Sequence, residues 1–349
     1  MRTPVIKSLY LKDFTAFDEI EIAFSPGINI FIGPNGTGKT HILKLLYSIV
    51  SAFKEGSDWD YLREKLVRVF LPYENNLGRL VRNQKMVGSR IKLDFCIGHL
   101  RIGHFSFAIT KLGQLLPEPL LLRYTNSGKG IASLIYIPPR EILANAPGFR
   151  SLYKEREINF EEVYPDLLDK VYLPSLKENK HSKFEQLLTI IEEAIEGKVT
   201  SKDEYLFLKT DRHSVEFTLL AEGFRKLALI WLLIKNGSLS PGAILFWDEP
   251  ESSLNPSLLK KLIEIILGIG RQGVQVFIAT HNYIVLKEFD IQATDADRIN
   301  YHSLYREKKT KPIECNTSDK FSEIHPNVIL DVFTDIYDRE IDRVLKGDK

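Results

Sequence analysis

Apolar positions along this chain fall into short blocks whose spacing switches between that of strands and that of helices. Residues 4–12 and 18–24 predict two half-buried strands joined by Asp13-Phe14-Thr15-Ala16-Phe17. Ser25-Pro26-Gly27 signals a turn, and Ile28-Asn29-Ile30-Phe31-Ile32 follows as a buried strand. His41–Tyr47 then reads as a helix, and residues 51–86 as charged and mostly helical, broken at Pro72 and Gly78. Residues 89–97 and 100–110 alternate and predict an antiparallel hairpin across Gly98, whose surface positions account for His99 and His104. Ile131–Ile137 is a further apolar strand, stopped by Pro138-Pro139. Residues 149–197 read as helical, with breaks at Pro165 and Pro174, and 204–208 with 214–220 as a second hairpin. Two more apolar strands, Ala243–Trp247 and Val274–Thr280, flank an amphipathic helix over 256–267. After Pro326 the stripe Val328, Ile329, Val332, Phe333, Ile336, Tyr337 predicts a last helix, expected to pack on the body, with partner docking as its alternative.

Strands alternating with helices imply an α/β protein, and the chemistry sits where strands end. Gly33-Pro34-Asn35-Gly36-Thr37-Gly38-Lys39-Thr40 lies between the strand 28–32 and a helix, the context that makes G-x-x-x-x-G-K-[ST] a phosphate-binding loop. Gly36 and Gly38 let successive N–H groups point inward as an anion nest, and the helix N-terminus adds its positive dipole end. Lys39 is placed to reach the β- and γ-phosphates, and Thr40 to put its hydroxyl on Mg²⁺. The apolar strand Ala243–Trp247 ends in Asp248-Glu249-Pro250, a Walker B arrangement: Asp248 for Mg²⁺ and Glu249 for the attacking water. His281 stands at the end of the strand after it, in reach of a γ-phosphate, and Gly223 opens a long helix. Arg140 and Glu141 end the strand 131–137, where α/β sheets place ligands. Tyr10, Phe14 and Phe17 are candidates for stacking on a base, with core packing the preferred reading.

Bulk composition narrows the class without choosing the function. The chain has 349 residues, 44% of them hydrophobic, enough for a substantial core in one large domain or two. A net charge of +1 does not point to nucleic acid, although Arg79–Lys85 and Arg306–Lys311 are locally basic. Two cysteines, Cys96 and Cys315, without metal-ligand spacing suggest a reducing compartment. With no signal-peptide core and no apolar run long enough for a bilayer, the expectation is a cytoplasmic protein with no membrane partner.

The order of these parts resembles the ABC-type ATPase heads of ABC, SMC and RecF proteins and of the OLD-like ATPases of prokaryotes. Gly33–Thr40 matches Walker A, Asp248-Glu249 Walker B, Ala221–Lys226 the signature, Glu251–Pro256 the D-loop, and His281 the switch histidine. The resemblance implies a P-loop fold of ABC-ATPase type: a mixed sheet, an antiparallel β subdomain and short helical insertions at 51–88 and 141–203. It implies an ATPase domain over 1–310 and a helical extension over 311–349. It implies ATP and Mg²⁺ as cofactors, with Asn35, Gly36, Thr37, Gly38, Lys39 and Thr40 in one copy and Glu222, Gly223 and Asn255 in a second copy closing on the nucleotide. Two features depart from the pattern: Ala221 replaces the usual signature Ser, and the stretch Ile137–Glu141, in the place of the Q-loop, holds no Gln.

The expected function is a hydrolysing switch that works as a homodimer or larger homo-oligomer. The wording Trp247–Glu251 with Leu254-Asn255-Pro256 looks like stand-alone ATPases of anti-phage systems, which implies a separate effector chain, a nuclease or toxin. Asp295-Ala296-Asp297 reads as a loop and not as a nuclease centre. A RecF-like DNA clamp and a nucleotide-bound scaffold with little turnover are the alternatives.

Overall fold

The structure is a computed structural model that describes residues 4–56, 58–82, 88–97, 100–117, 130–156, 158–176, 182–308 and 311–345. Lys85, Gly98 and His99, singled out above, lie outside the described residues.

The strands sort into three sheets among the described residues. The first is antiparallel. It comprises β1 (Val5–Phe14), β2 (Phe17–Ala23), β4 (Ser89–Ile97), β5 (Leu100–Ile109) and β6 (Leu115–Pro117), in the order β2-β1-β4-β5-β6. The second is the core sheet, built from β3 (Ile28–Ile32), β7 (Leu134–Ile137), β11 (Ile244–Asp248), β12 (Gln275–Thr280), β13 (Ile299–Tyr305) and β14 (Glu314–Ser318). Its order is β14-β13-β3-β12-β11-β7, parallel throughout except for the edge strand β14. Every residue of β3, β7, β11 and β12 is buried, because helices cover both faces of a parallel sheet. That is why these strands appear in the sequence as unbroken apolar runs. The third sheet joins β8 (Lys198–Lys202), β9 (Tyr205–Lys209) and β10 (Ser214–Glu216).

The helices are α1 (Lys39–Lys54), α2 (Trp59–Phe70), α3 (Phe149–Arg156), α4 (Val163–Val171), α5 (Glu185–Ala194), α6 (Glu222–Lys235), α7 (Pro256–Arg271), α8 (Tyr283–Gln292) and α9 (Val328–Leu345). α1 lies across β7, β11 and β12. The first two sheets are joined by Gln275, a buried amide at the start of β12. It accepts from the Ile6 N–H at 2.9 Å and donates to the carbonyl oxygens of Ile6 at 2.9 Å and Ser25 at 2.8 Å.

Several expectations meet a different outcome. The helical reading of 51–86 holds only to Phe70: Leu71 takes a left-handed cap, and 3-10 turns follow at 73–75 and 77–80. Residues 198–202, expected within a helical insertion, form β8, because the ladder offered by β9 outweighs the local pattern. β14 and a 3-10 turn at 321–323 occupy part of the range 311–349 expected as a helical extension, so the core sheet continues past residue 310. α9 does form, yet none of its residues is buried, and Val332, Phe333, Ile336, Tyr337 and Ile341 stay exposed. Its hold on the body runs through Phe333, stacked on Tyr283 at 4.6 Å, and Ile329. An amphipathic stripe demands a cover but does not say which surface supplies it.

A candidate nucleotide-binding site

The phosphate loop is shaped by its neighbours as much as by its own residues. Gly33 has φ 145°, and a Cβ there would sit 2.1 Å from the Leu304 carbonyl oxygen. Gly38, the N-cap of α1, has φ 87°, and a Cβ there would lie 2.5 Å from the ring of Phe17. The turn between β1 and β2 therefore presses directly on the loop. Phe14 and Phe17 are fully buried, as core packing requires. Tyr10 donates to Glu19 at 2.8 Å on the surface of the antiparallel sheet.

Asn35, Gly36, Gly38, Lys39, Thr40 and Glu249 line one cleft of about 300 Å³, together with Ala16 and His41. Thr37 is buried and braces the loop, its hydroxyl donating to the Pro34 carbonyl oxygen at 2.8 Å. Lys39 folds back over the loop and donates to the carbonyl oxygens of Gly33 at 2.6 Å and Pro34 at 3.0 Å. Burial holds its pKa below the ordinary lysine value, with Glu249 and Asp248 opposing that shift.

Asp248 closes β11 and is 1% exposed. Its Oδ2 accepts from the Tyr136 hydroxyl at 3.3 Å, and Thr40 also hydrogen-bonds to the carboxylate. Oδ1 is buried without a partner. Burial pushes its pKa up to about 6, and the Glu249 charge adds to the rise while the hydrogen bond with Thr40 opposes it. A buried carboxylate oxygen left open beside a threonine hydroxyl fits a hard divalent cation shared with phosphate oxygens.

Glu249, next in the chain, adopts φ 49°, a left-handed backbone that non-glycine residues rarely take. Its N–H still donates to the Ala279 carbonyl oxygen at 2.9 Å, so the register of β11 with β12 carries one residue beyond Asp248. Its carboxylate lies 3.3 Å from Nδ1 of His281, which is half-exposed at the end of β12. Glu251 is buried and accepts from the Thr280 hydroxyl at 2.5 Å, and burial raises its pKa.

Glu222, Gly223 and Asn255 do not line the cleft. Gly223 packs against Leu254 and Ser253, where a Cβ would meet Leu254 at 3.0 Å. Asn255 caps α7, accepting from the Ser257 N–H at 3.0 Å. Lys226, one turn into α6, is 1% exposed and donates to the carbonyl oxygens of Pro139 at 3.0 Å and Ser252 at 2.7 Å. It thereby pins the start of α6 to the loops after β7 and β11. Glu141 is turned inward to Arg225 at 2.5 Å, while Arg140 is exposed.

Sequence reasoning missed Ala16 and His41 as lining residues and Tyr136 as a neighbour of Asp248. A hydroxyl inside the apolar run Leu134–Ile137 was the available signal for the last. Of the basic stretches, Arg82 is used within the fold, donating to the Ala16 carbonyl oxygen and lying 3.7 Å from Asp18.

Comparison with known proteins agrees with this geometry. Residues 5–85 match a family described as "AAA ATPase domain", and residues 125–287 one described as "AAA domain, putative AbiEii toxin, Type IV TA system". The DNA replication and repair protein RecF of Lactobacillus johnsonii is 34% identical over 83 residues, 24% of this chain and 21% of that one. RecF of Streptococcus gordonii is 28% identical over 180 residues, 47% and 49% of the two chains. The chain thus spans about half or less of the length of these relatives. An SMC head bound to the C-winged helix domain of ScpA superposes with TM-score 0.58 at 11% identity, covering 90% of this chain and 97% of that one. The SMC head domain from Thermotoga maritima gives 0.50 at 16%, covering 91% and 98%. These matches show that the chain has the fold of the SMC heads and that parts of it are similar to AAA ATPase domains and to RecF.

Proposed function

We propose that the chain is an ATP-hydrolysing switch in which two copies close head to tail over two nucleotides. The observation that carries this reading is the division of the motif residues. The loop, Asp248 and Glu249 surround one cleft, whereas Glu222 and Gly223 lie outside it, at the opening of α6. A second copy can bring that helix start to the nucleotide, and a two-fold arrangement uses the same pair of surfaces twice.

In this reading the N–H groups of 36–40 and Lys39 take the phosphates, Lys39 exchanging its bonds to Gly33 and Pro34 for phosphate oxygens. Thr40 and Asp248 would hold Mg²⁺, which would supply positive charge to the phosphates. Glu249 orients the attacking water and accepts its proton, and His281 steadies the Glu249 carboxylate beside the γ-phosphate. Positioning of this kind supplies most of what phosphoryl transfer requires. The signature contributes a backbone N–H at Gly223 and no hydroxyl, because Ala221 lacks one.

The output goes to a separate effector chain in an antiviral system of the cytoplasm. The toxin–antitoxin wording of the family that matches residues 125–287 supports this, as does the exposed apolar face of α9. No described helix is long and apolar enough to cross a membrane. Similarity to RecF favours a second reading, a DNA-binding clamp.

Glu249→Gln tests the switch. The expected result is loss of phosphate release, with ATP and Mg²⁺ converting monomer to a stable dimer in analytical ultracentrifugation. Turnover equal to wild type, or a sedimentation pattern indifferent to ATP, would refute it. Tight DNA binding that weakens steeply with salt and depends on ATP would move the assignment to the clamp.

A further inference from the structure

We propose that Tyr136 is the positioning residue of the metal site, its hydroxyl holding one oxygen of Asp248 so that the other faces the cation. This rests on the Mg²⁺·ATP reading above and names a residue that the motifs do not include.

The register of the core sheet sets the geometry. Tyr136 on β7 pairs with Phe246 on β11, and Asp248 lies two residues further along β11 on the same face. The Tyr136 ring lies nearly parallel to Phe246, centroids 6.4 Å apart at 26°, so it runs beside that ring toward the strand end. Its hydroxyl arrives 3.3 Å from Asp248 Oδ2. Tyr47 of α1 closes the packing edge-on, 5.5 Å from Tyr136 and 6.2 Å from Phe246. The ring is 2% exposed and has no room to swing away.

The consequence appears on the other oxygen. An ionised carboxylate offers about four acceptor positions. Tyr136 occupies Oδ2, and Oδ1 is buried with no partner. Without the tyrosine hydroxyl, Thr40 would be the one remaining group to set the tilt of the carboxylate plane, and hence the direction in which Oδ1 points. Facing a carboxylate oxygen, which has no proton to give when ionised, the tyrosine hydroxyl is the donor of this bond. The loop after β7 provides no substitute: Glu141 is held by Arg225 and by the Leu143 N–H, and Arg140 carries the wrong charge for a cation ligand. Tyr136 thus supplies, from inside the strand, order that a loop residue does not supply.

The test is Tyr136→Phe in the full chain, with ATP affinity measured by calorimetry in Mg²⁺ and again in EDTA. Outer-shell partners of metal ligands are typically worth about 10- to 100-fold in metal affinity. The affinity gained by adding Mg²⁺ should therefore fall by about ten-fold or more, while the affinity in EDTA stays at the wild-type value. Phe246→Leu disturbs the same packing without touching the hydroxyl, and should lower the melting temperature while keeping the Mg²⁺ gain. An undiminished Mg²⁺ gain in Tyr136→Phe overturns the role. So does an equal loss in Phe246→Leu, which would assign the effect to packing. A wild-type protein that binds ATP equally in Mg²⁺ and EDTA would instead remove the magnesium reading itself, and this role with it.

Discussion

Replacing Gly38 with alanine should damage the site by two separable routes. The backbone at this position has φ 87°, where an L-residue costs about 1–2 kcal/mol. The new methyl would also lie 2.5 and 2.8 Å from two ring carbons of Phe17, closer than packed atoms approach. Phe17 is fully buried, so its ring moves only by disturbing the core, at about 1–3 kcal/mol for overpacking of this kind. Together the two effects predict a loss of about 2–5 kcal/mol. Phe17→Leu removes the ring that collides, so the pair should be coupled. In the Gly38→Ala, Phe17→Leu double variant the steric part is relieved, giving an interaction energy of about 1 kcal/mol or more in urea unfolding of the four proteins. ATP affinity should stay weak in the double variant, because the backbone part persists and tilts the N–H groups that face the cleft. Additive effects within about 0.5 kcal/mol would refute the idea that the β1–β2 turn shapes the loop.

Three further outcomes follow from groups described above. The Asp248 carboxyl has a folded pKa of about 6 against an ordinary 3.8, so the folded state holds its proton more tightly than the unfolded chain. Its contribution to apo stability is then most favourable below pH 4 and is lost as pH rises to about 6, by roughly 3 kcal/mol. Asp248→Asn, uncharged throughout, should accordingly melt higher than wild type at pH 7.5 without nucleotide, with the advantage gone near pH 4; a lower melting point at pH 7.5 would contradict this. Gln275→Leu takes the amide partner from the Ile6 N–H and the Ile6 carbonyl oxygen in the interior, while Ser25 keeps its bond from Asn29, a loss of about 2 kcal/mol or more in urea unfolding. Lys226→Met removes the tie between α6 and the loops at Pro139 and Ser252, and should reduce turnover more than ATP affinity in paired kinetic and binding assays.

The parts of the site that were legible in the sequence are those whose chemistry is local. The phosphate loop is contiguous, and Asp248 follows an apolar strand, so spacing alone placed both at strand ends. Tyr136 was not legible, because its role depends on which strand lies beside β11, and no pattern within Leu134–Ile137 states that. Ala16 faces the cleft only because a turn 20 residues upstream of Gly36 folds back over the loop. β8 was hidden for a related reason: strand formation at 198–202 depends on a partner strand, whereas the helical reading used only neighbours in the chain. The cover over α9 is a relation between surfaces, and the stripe carries just one side of it.

The left-handed backbone of Glu249 makes this acid an unusual site for selection. A glycine there would adopt the same φ without penalty, sparing about 1–2 kcal/mol, and would remove a negative charge from beside the buried Asp248. It would give up a contact to His281 that is open to solvent on both sides, and the attraction of its charge for the buried Lys39 ammonium. Glu249→Gly should therefore lose hydrolysis at little cost in melting temperature. A lineage screened for robustness alone would drift toward inert protein at this position, and retention of the acid would be a record of selection for turnover.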